Sequence, residues 1–155
     1  LGEVNQGFKI AMDTLDGGRI GIASQALGIA RASMEASVKY ANEREQFGKP
    51  IGAFQAIQHK IAEMAMNIEA ARLTVWRSAW EIDQGRRNTY FASIAKAFAA
   101  DMAHKVATDA VQIFGGYGFM NEYPVARMWR DSKVLEVGEG TSEVQRMVIS
   151  RAVLG

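Results

Sequence analysis

The chain has no cysteine, and only two histidines and two prolines among its 155 residues. Without cysteine there is no disulfide scaffold, no thiolate nucleophile and no thiolate metal site. His59 and His104 stand far apart, too few for a histidine-built metal cluster, and read as ordinary helix-face residues; no metal site is expected. An excess of either charge is also missing. Eighteen Lys and Arg against seventeen Asp and Glu leave a formal net charge of +1. Nucleic-acid binding draws on a basic face, so this balance argues against it. Long apolar runs are absent too. The longest uncharged run of the first helical segment, IGIASQALGIA between Arg19 and Arg31, falls short of the roughly 20 residues that cross a bilayer. No signal-peptide pattern follows Leu1, and the opening LGEVNQGFKI lacks an initiating Met, as expected of a piece processed or excised from something longer.

What remains is long, Ala-rich and Met-rich, with little strand-like alternation, and it favours helix. A first helix is predicted from about Gln6 to Arg44, kinked where DGGR at 16–19 weakens it. Ile20, Ala23, Leu27, Ala30, Met34, Ser37 and Ala41 recur at steps of three and four and mark one buried face. EQFGKPIGA breaks the pattern. A second helix follows from about Phe54 to Gln84, with Phe54, Ile57, Ile61, Met64, Ile68, Ala71 and Val75 inward. Gly85 can end it, and Asn88 or Thr89 can cap the third. The third carries Phe91, Ile94, Ala95, Phe98, Met102, Val106, Ala110 and Ile113 and stops at FGGYG. A short helix after Pro124 and a last one from Thr141 complete the set. The expected fold is all-α: a single domain over residues 1–155, an antiparallel up-and-down four-helix-type bundle with short additional helices. Most of these apolar residues serve packing alone. Trp76, Trp80 and Trp129 read as core or interface packing rather than cofactor stackers.

Fifteen glycines are many for a helical chain, and they cluster in DGGR, QIFGGYG and GEGT. Each cluster brings bare backbone and a polar group to a helix break, where free N–H groups can receive an anion. Caps and turns use glycine in the same way. GEGT is the sharpest case. It sets Glu139 between Gly138 and Gly140 just ahead of a helix. The flanking glycines let the backbone approach a flat ligand and leave the carboxylate unshielded. The helix N-terminus favours the ionised acid, and desolvation by an apolar ligand opposes it. Such a carboxylate suits a general base. A solvated turn acid would carry the same pattern.

Four motifs, in order, cover nearly the whole chain: REQFGKPI, ATDAVQIFGGYGF, EYPVARMWRD and GEGTSEVQRMVISR. As a set they resemble the C-terminal domain of the acyl-CoA dehydrogenases, of short- and medium-chain type. AWEIDQGRRNTYFASIAKAFAAD is similar to the medium-chain member, and GFKIAMDTLDGGRIGIASQALGIA to short-chain and bacterial butyryl-CoA members. The family's enzymes have three domains, so the resemblance implies that the N-terminal helical and middle β-domains are absent here. It implies FAD as cofactor and α,β-dehydrogenation of a fatty acyl-CoA to a trans-2-enoyl-CoA in β-oxidation. The acid of the EGT motif, here Glu139, would remove the α-proton while the β-hydrogen leaves as hydride. The thioester carbonyl would be polarised by the base's own backbone N–H and a ribityl hydroxyl. Long-chain and isovaleryl-type members carry their base in the first helix instead, at the position that is Gly18 here, and glycine cannot serve.

The resemblance carries further roles onto matching positions. Asp16, Arg19, Gly140 and Arg151 would meet the acyl-CoA. Arg44 and Phe47 would hold the FAD of a neighbouring subunit, Arg44 at its pyrophosphate, with Phe54 and Gln55 at the same cofactor. Gln112, Gly115 and Gly116 would cradle its adenylate end, and Thr141, Ser142 and Glu143 would meet FAD beside the base. The implied partners are an electron-transferring flavoprotein and three more copies in a tetramer. The implied compartment is the mitochondrial matrix in a eukaryote and the cytoplasm in a bacterium. Many relatives have Tyr where Gly138 stands, which bears on the acyl chain length accepted. Two other readings stay open: a non-catalytic helical oligomerisation module, and an acyl-CoA oxidase-like relative, which usually carries a longer C-terminal region.

Overall fold

The computed structural model of the chain describes residues 2–155. Five helices follow one another: α1 (Gly7–Glu43), α2 (Gln55–Asp83), α3 (Thr89–Phe114), α4 (Pro124–Val137) and α5 (Ser142–Leu154). The up-and-down bundle expected from the apolar spacing is what forms. Helix α3 is its axis, packed against α1, α2, α4 and α5. Its burial follows from composition. Ala92, Ala95, Ala99, Ala100, Ala103 and Ala107 present almost no side-chain bulk, so neighbouring helices can approach on several sides.

The buried line of α1 is small as well: Ala23, Ala26, Ala30, Ser33, Ser37 and Ala41. It is centred one position away from the expected face, and Ile20, Leu27 and Met34 flank it half-buried. The serines do not cost an unpaired hydroxyl, because Ser37 donates to the Ser33 carbonyl at 2.8 Å and Ser33 to the Met128 sulfur at 3.4 Å. Helix α2 matches its expected face, with Met64, Ile68, Ala71 and Val75 buried.

Several expectations need correction. DGGR does not interrupt α1, which runs helical through residues 16–19. Neither Asn88 nor Thr89 caps α3 by its side chain. Asn88 instead donates to the Ser78 carbonyl and hydroxyl, both at 2.9 Å. Phe98 is exposed, because it faces an open cleft lined also by Ile94, Met102 and Ile149 rather than the packed centre of the bundle. Trp76, Trp80 and Trp129 are exposed as well, which removes core packing from the expected core-or-interface role and leaves the interface. Two of these indoles are covered by cations instead: Arg77 and Arg86 both lie over Trp80, and Arg72 lies over Trp76.

EQFGKP forms a two-stranded hairpin, β1 (Glu45–Gln46) and β2 (Lys49–Pro50), antiparallel with Gln46 opposite Lys49. Its two loop residues, Phe47 at φ 53° and Gly48 at φ 78°, are both left-handed, as a primed hairpin turn requires. Gly85, at φ 66°, ends the region of α2 as expected.

Candidate active site

Between α4 and α5 the chain reverses within four residues. Gly138 closes α4, its N–H donating to the Val134 carbonyl at 2.9 Å. Glu139 follows at φ 57° and Gly140 at φ 91°. Thr141 then caps α5, its hydroxyl accepting from the Val144 N–H at 3.3 Å. A glutamate in left-handed backbone costs on the order of 1 kcal/mol or more and persists only when its surroundings hold it there.

Two buried side chains hold this one. Lys96, two turns into α3, donates to the Glu136 carbonyl at 3.0 Å and the Gly140 carbonyl at 2.7 Å. Gln145, on α5, donates to the Glu139 and Gly140 carbonyls at 3.0 and 3.1 Å. Burial pushes the pKa of the Lys96 ammonium down, and nearby Asp101 and Glu136 offset part of that. Neither residue was singled out from sequence. The signal was present for one of them, because Lys96 is the only charge between Arg87 and Asp101 in an alanine-rich helix.

The half-buried Glu139 carboxylate reaches back to α1. A Cβ placed on Gly18 would lie 2.5 Å from Glu139 Oε2 and 2.8 Å from its Cδ. Gly18 is therefore not a helix break; it is clearance. The space at position 18 admits the carboxylate or a local side chain, not both.

At the next residue, Arg19 Nη1 donates to Asp16 Oδ1 at 2.7 Å and lies 3.5 Å from the Ser93 hydroxyl. The Thr89 hydroxyl donates to the other Asp16 oxygen. These bonds tie α1 to the start of α3 beside Glu139, while the buried Arg19 Nε has no protein partner. Arg151, in the last turn of α5, is exposed and lines a cleft of about 420 Å³ with Arg87, Thr89 and Tyr90. Ser142 donates to Asp101 Oδ1 at 2.7 Å and pins the first residue of α5 to α3. Glu143 is held below the usual carboxylate range by hydrogen bonding, first to its own backbone N–H and then to the Thr141 side chain.

The remaining candidates gather elsewhere. Another cleft of about 400 Å³ is lined by Tyr40, Arg44, Ile51, Phe114, Gly115 and Tyr117, among others. Phe114 stacks on Tyr40 at 4.1 Å, and the Arg44 guanidinium lies 5.4 Å from the Tyr117 ring centre. Burial raises the Tyr40 hydroxyl above its ordinary pKa, and Arg44 pulls it back in part. Gly115 is left-handed at φ 61°, with its N–H donating to the Gln112 carbonyl, and Gly116 has open space where a side chain would be. Phe54 and Gln55 open α2 nearby. Phe47 sits at the hairpin tip, 92% exposed, edge-on to Phe54.

The candidates thus form two groups, one around Gly18 and one around Arg44. These residues are separated along α1 by about 39 Å at 1.5 Å per residue. Among the described residues, no cluster of three or more His, Cys, Asp or Glu could hold a metal, and no helix is long and apolar enough to cross a membrane.

Comparison with known proteins gives one consistent picture. Residues 5–154 match the family described as acyl-CoA dehydrogenase, C-terminal domain. The short-chain-specific acyl-CoA dehydrogenase of Megasphaera elsdenii is 56% identical over 154 residues, 99% of this chain and 40% of that protein. The caffeyl-CoA reductase–Etf complex subunit CarC of Acetobacterium woodii is 51% identical over 99% of this chain and 41% of its own length. Among solved structures, butyryl-CoA dehydrogenase from Megasphaera elsdenii superimposes with a TM-score of 0.99 at 55% identity, over 100% of this chain and 40% of that one. The chain spans about two-fifths of the length of these relatives.

Proposed function

Because the chain belongs to the acyl-CoA dehydrogenase family, matching its C-terminal domain, we propose that it forms the base-bearing part of an FAD-dependent enzyme that dehydrogenates short- or medium-chain acyl-CoA thioesters. The observation that carries this reading is the fit between Glu139 and Gly18: a carboxylate held in left-handed backbone, over a gap kept clear for it. Glu139 takes the α-proton of the thioester. FAD, when bound, supplies the acceptor for the β-hydrogen, which leaves as hydride. The thioester thereby loses one proton and one hydride and becomes a trans-2-enoyl-CoA. Among the described residues nothing takes up the Glu139 N–H, which leaves it available to the thioester carbonyl as the charge develops.

The other candidates divide the remaining work. Arg151, with Arg87 in the same cleft, offers cations to an anionic CoA. Asp16 and Arg19 stand beside Gly18, where the base reaches α1; by resemblance Gly140 meets the acyl-CoA and Thr141, Ser142 and Glu143 meet FAD beside the base. Arg44, Gly115 and Gly116 suit the diphosphate and adenylate end of FAD: a planar cation, bare backbone and a stacked aromatic wall stand together in one cleft, and Gln112, whose carbonyl accepts the Gly115 N–H, flanks it. Phe47, Phe54 and Gln55 extend that surface. By resemblance the Arg44 group serves the FAD of a neighbouring subunit in a homo-oligomer, a tetramer, and the separation of about 39 Å along α1 between the two groups supports that division. A Cβ at Gly138 would meet only the Val134 carbonyl, at 3.5 Å; that open position widens the acyl end relative to Tyr-bearing family members.

Electrons leave to an electron-transferring flavoprotein, a partner supported by the name of the CarC relative. That same name supports a second reading, in which the steps run in reverse and Glu139 returns a proton to the α-carbon of an enoyl thioester. One experiment addresses both. The full-length flavoprotein is titrated without oxygen with butyryl-CoA, and in its reduced form with crotonyl-CoA, beside Glu139→Gln. Bleaching of the oxidised flavin by the saturated thioester, lost in Glu139→Gln, is the expected result. Reoxidation by crotonyl-CoA without bleaching by butyryl-CoA selects the reductase. Equal bleaching in the variant removes Glu139 as the base.

A further inference from the structure

Lys96 is the largest side chain wholly removed from solvent. Burying an ammonium is costly unless something specific receives it. What receives it is not a carboxylate. Both of its hydrogen bonds go to backbone carbonyls, Glu136 and Gly140, which lie on either side of Glu139. Gln145, equally buried, adds the carbonyls of Glu139 and Gly140, although its own Oε1 is left without a partner. These two side chains, from different helices, converge on the end of α4 and the loop that follows it.

The geometry has a directional consequence. In a trans peptide the carbonyl of one residue and the N–H of the next point opposite ways. Drawing the Glu139 and Gly140 carbonyls into the bundle therefore turns the Gly140 and Thr141 N–H groups outward. With those carbonyls held, Glu139 stands in left-handed backbone at φ 57° with its carboxylate over Gly18. A Cβ on Gly140 would come 2.6 Å from Gln145 Nε2, so the approach is close enough to require glycine there.

We propose that Lys96 and Gln145 are the positioning residues of Glu139, a clamp acting on the backbone carbonyls of residues 136–140 to fix where the carboxylate stands. The functional consequence rests on the reading of Glu139 as base; the clamp itself does not. Two measurements on the full-length flavoprotein separate them. The first is amide hydrogen exchange across residues 138–142 without any thioester. The second is deuterium incorporation from D2O at the α-carbon of (methylthio)acetyl-CoA, whose sulfur stands where the β-carbon would be, so that a proton can leave but no hydride can.

Lys96→Met and Gln145→Leu are each expected to speed exchange in the loop about tenfold or more while the α3 amides keep their protection. Both are expected to slow α-deuteration by about 10²-fold, with thioester affinity and flavin content unchanged. A purely structural role would lower yield and melting temperature and leave deuteration per folded flavin site intact. Loop exchange and deuteration within about threefold of the parent in the folded variants overturns the clamp. Where Lys96→Met yields no folded flavoprotein, Gln145→Leu decides by the same two criteria. A parent enzyme that deuterates nothing overturns Glu139 as base, while the exchange comparison still decides the clamp.

Discussion

Glu139 and Phe47 are both non-glycine residues in left-handed backbone, at φ 57° and φ 53°. They stand near opposite ends of the bundle and are supported in opposite ways. Four side-chain hydrogen bonds from Lys96 and Gln145 hold the segment around Glu139 from inside the bundle. Phe47 has only its own two-residue hairpin and the edge of Phe54. Strain of similar size is thus over-determined in one place and left to a local turn in the other. The chain fixes the position of its acid by itself, whereas the hairpin tip holds an aromatic ring in solvent, ready to be covered by something outside this chain.

The largest expected effect breaks the first side of this comparison. Gly18→Ala puts a methyl group 2.5 Å from the Glu139 carboxylate. The carboxylate is the free end of a flexible side chain, so it swings away and the fold survives. Turnover of butyryl-CoA by the full-length enzyme is expected to fall about 10²-fold. Its melting temperature should hold or rise, because alanine improves a helix interior by up to about 1 kcal/mol over glycine. Loss of activity and stability together would mean that Gly18 serves packing and not clearance.

Next in size is the other end. Arg44→Ala removes the cation from the Tyr117 cleft. A hydrogen bond to a charged group is worth about 1.5–3 kcal/mol, so the dissociation constant of FAD should rise roughly 10- to 100-fold. Excess FAD should restore full turnover, since Glu139, the proposed base, meets α1 at Gly18, some 39 Å away along the helix. Turnover that stays low at saturating FAD would show the two ends to be one site. Smaller again is Thr141→Ala, which deletes the only side-chain cap of α5. About 1 kcal/mol of stability should go, read as a lower urea midpoint, with α-proton removal little changed because Lys96 and Gln145 still hold residue 139.

How legible all this is in the sequence differs between the same two regions. Helices α1 to α5 and the turns between them follow from the three-four spacing and from glycine and proline. The misread elements share one cause. DGGR has the composition of a break, yet α1 passes through it, because the reason for Gly18 is a carboxylate supplied from the far end of the chain. Local propensity cannot register such a neighbour. Asn88 looks like a cap, but its side chain is drawn away to Ser78 on α2. The exposed Trp80 looks like core until two arginines are seen to cover it. Glu139 itself is visible from its flanking glycines. Its support is not, apart from the odd charge at Lys96, because Gln145 is indistinguishable from any surface glutamine until α5 is folded onto α3. The Arg44 group is legible only through resemblance, since an exposed hairpin carries no periodicity to read.

Phe47 gives the finest test of the contrast. Asparagine tolerates left-handed backbone better than phenylalanine, whose Cβ and ring crowd the neighbouring peptide. In the 155-residue chain Phe47→Asn loses little more than an edge contact with Phe54 at 6.1 Å between ring centres. It should therefore stabilise this chain slightly, by about 0.5 kcal/mol, seen as a higher urea midpoint. In the full-length oligomer the sign should reverse. If the ring is covered there, losing its buried area costs about 1.5–3 kcal/mol, and FAD should be released more readily. The two effects come from one substitution and oppose each other, so their difference measures how much of the hairpin is completed from outside. A gain in both settings would mean that Phe47 is covered in neither. The same comparison at residue 139 has no such reversal to offer, because the bonds that hold it belong to the chain itself.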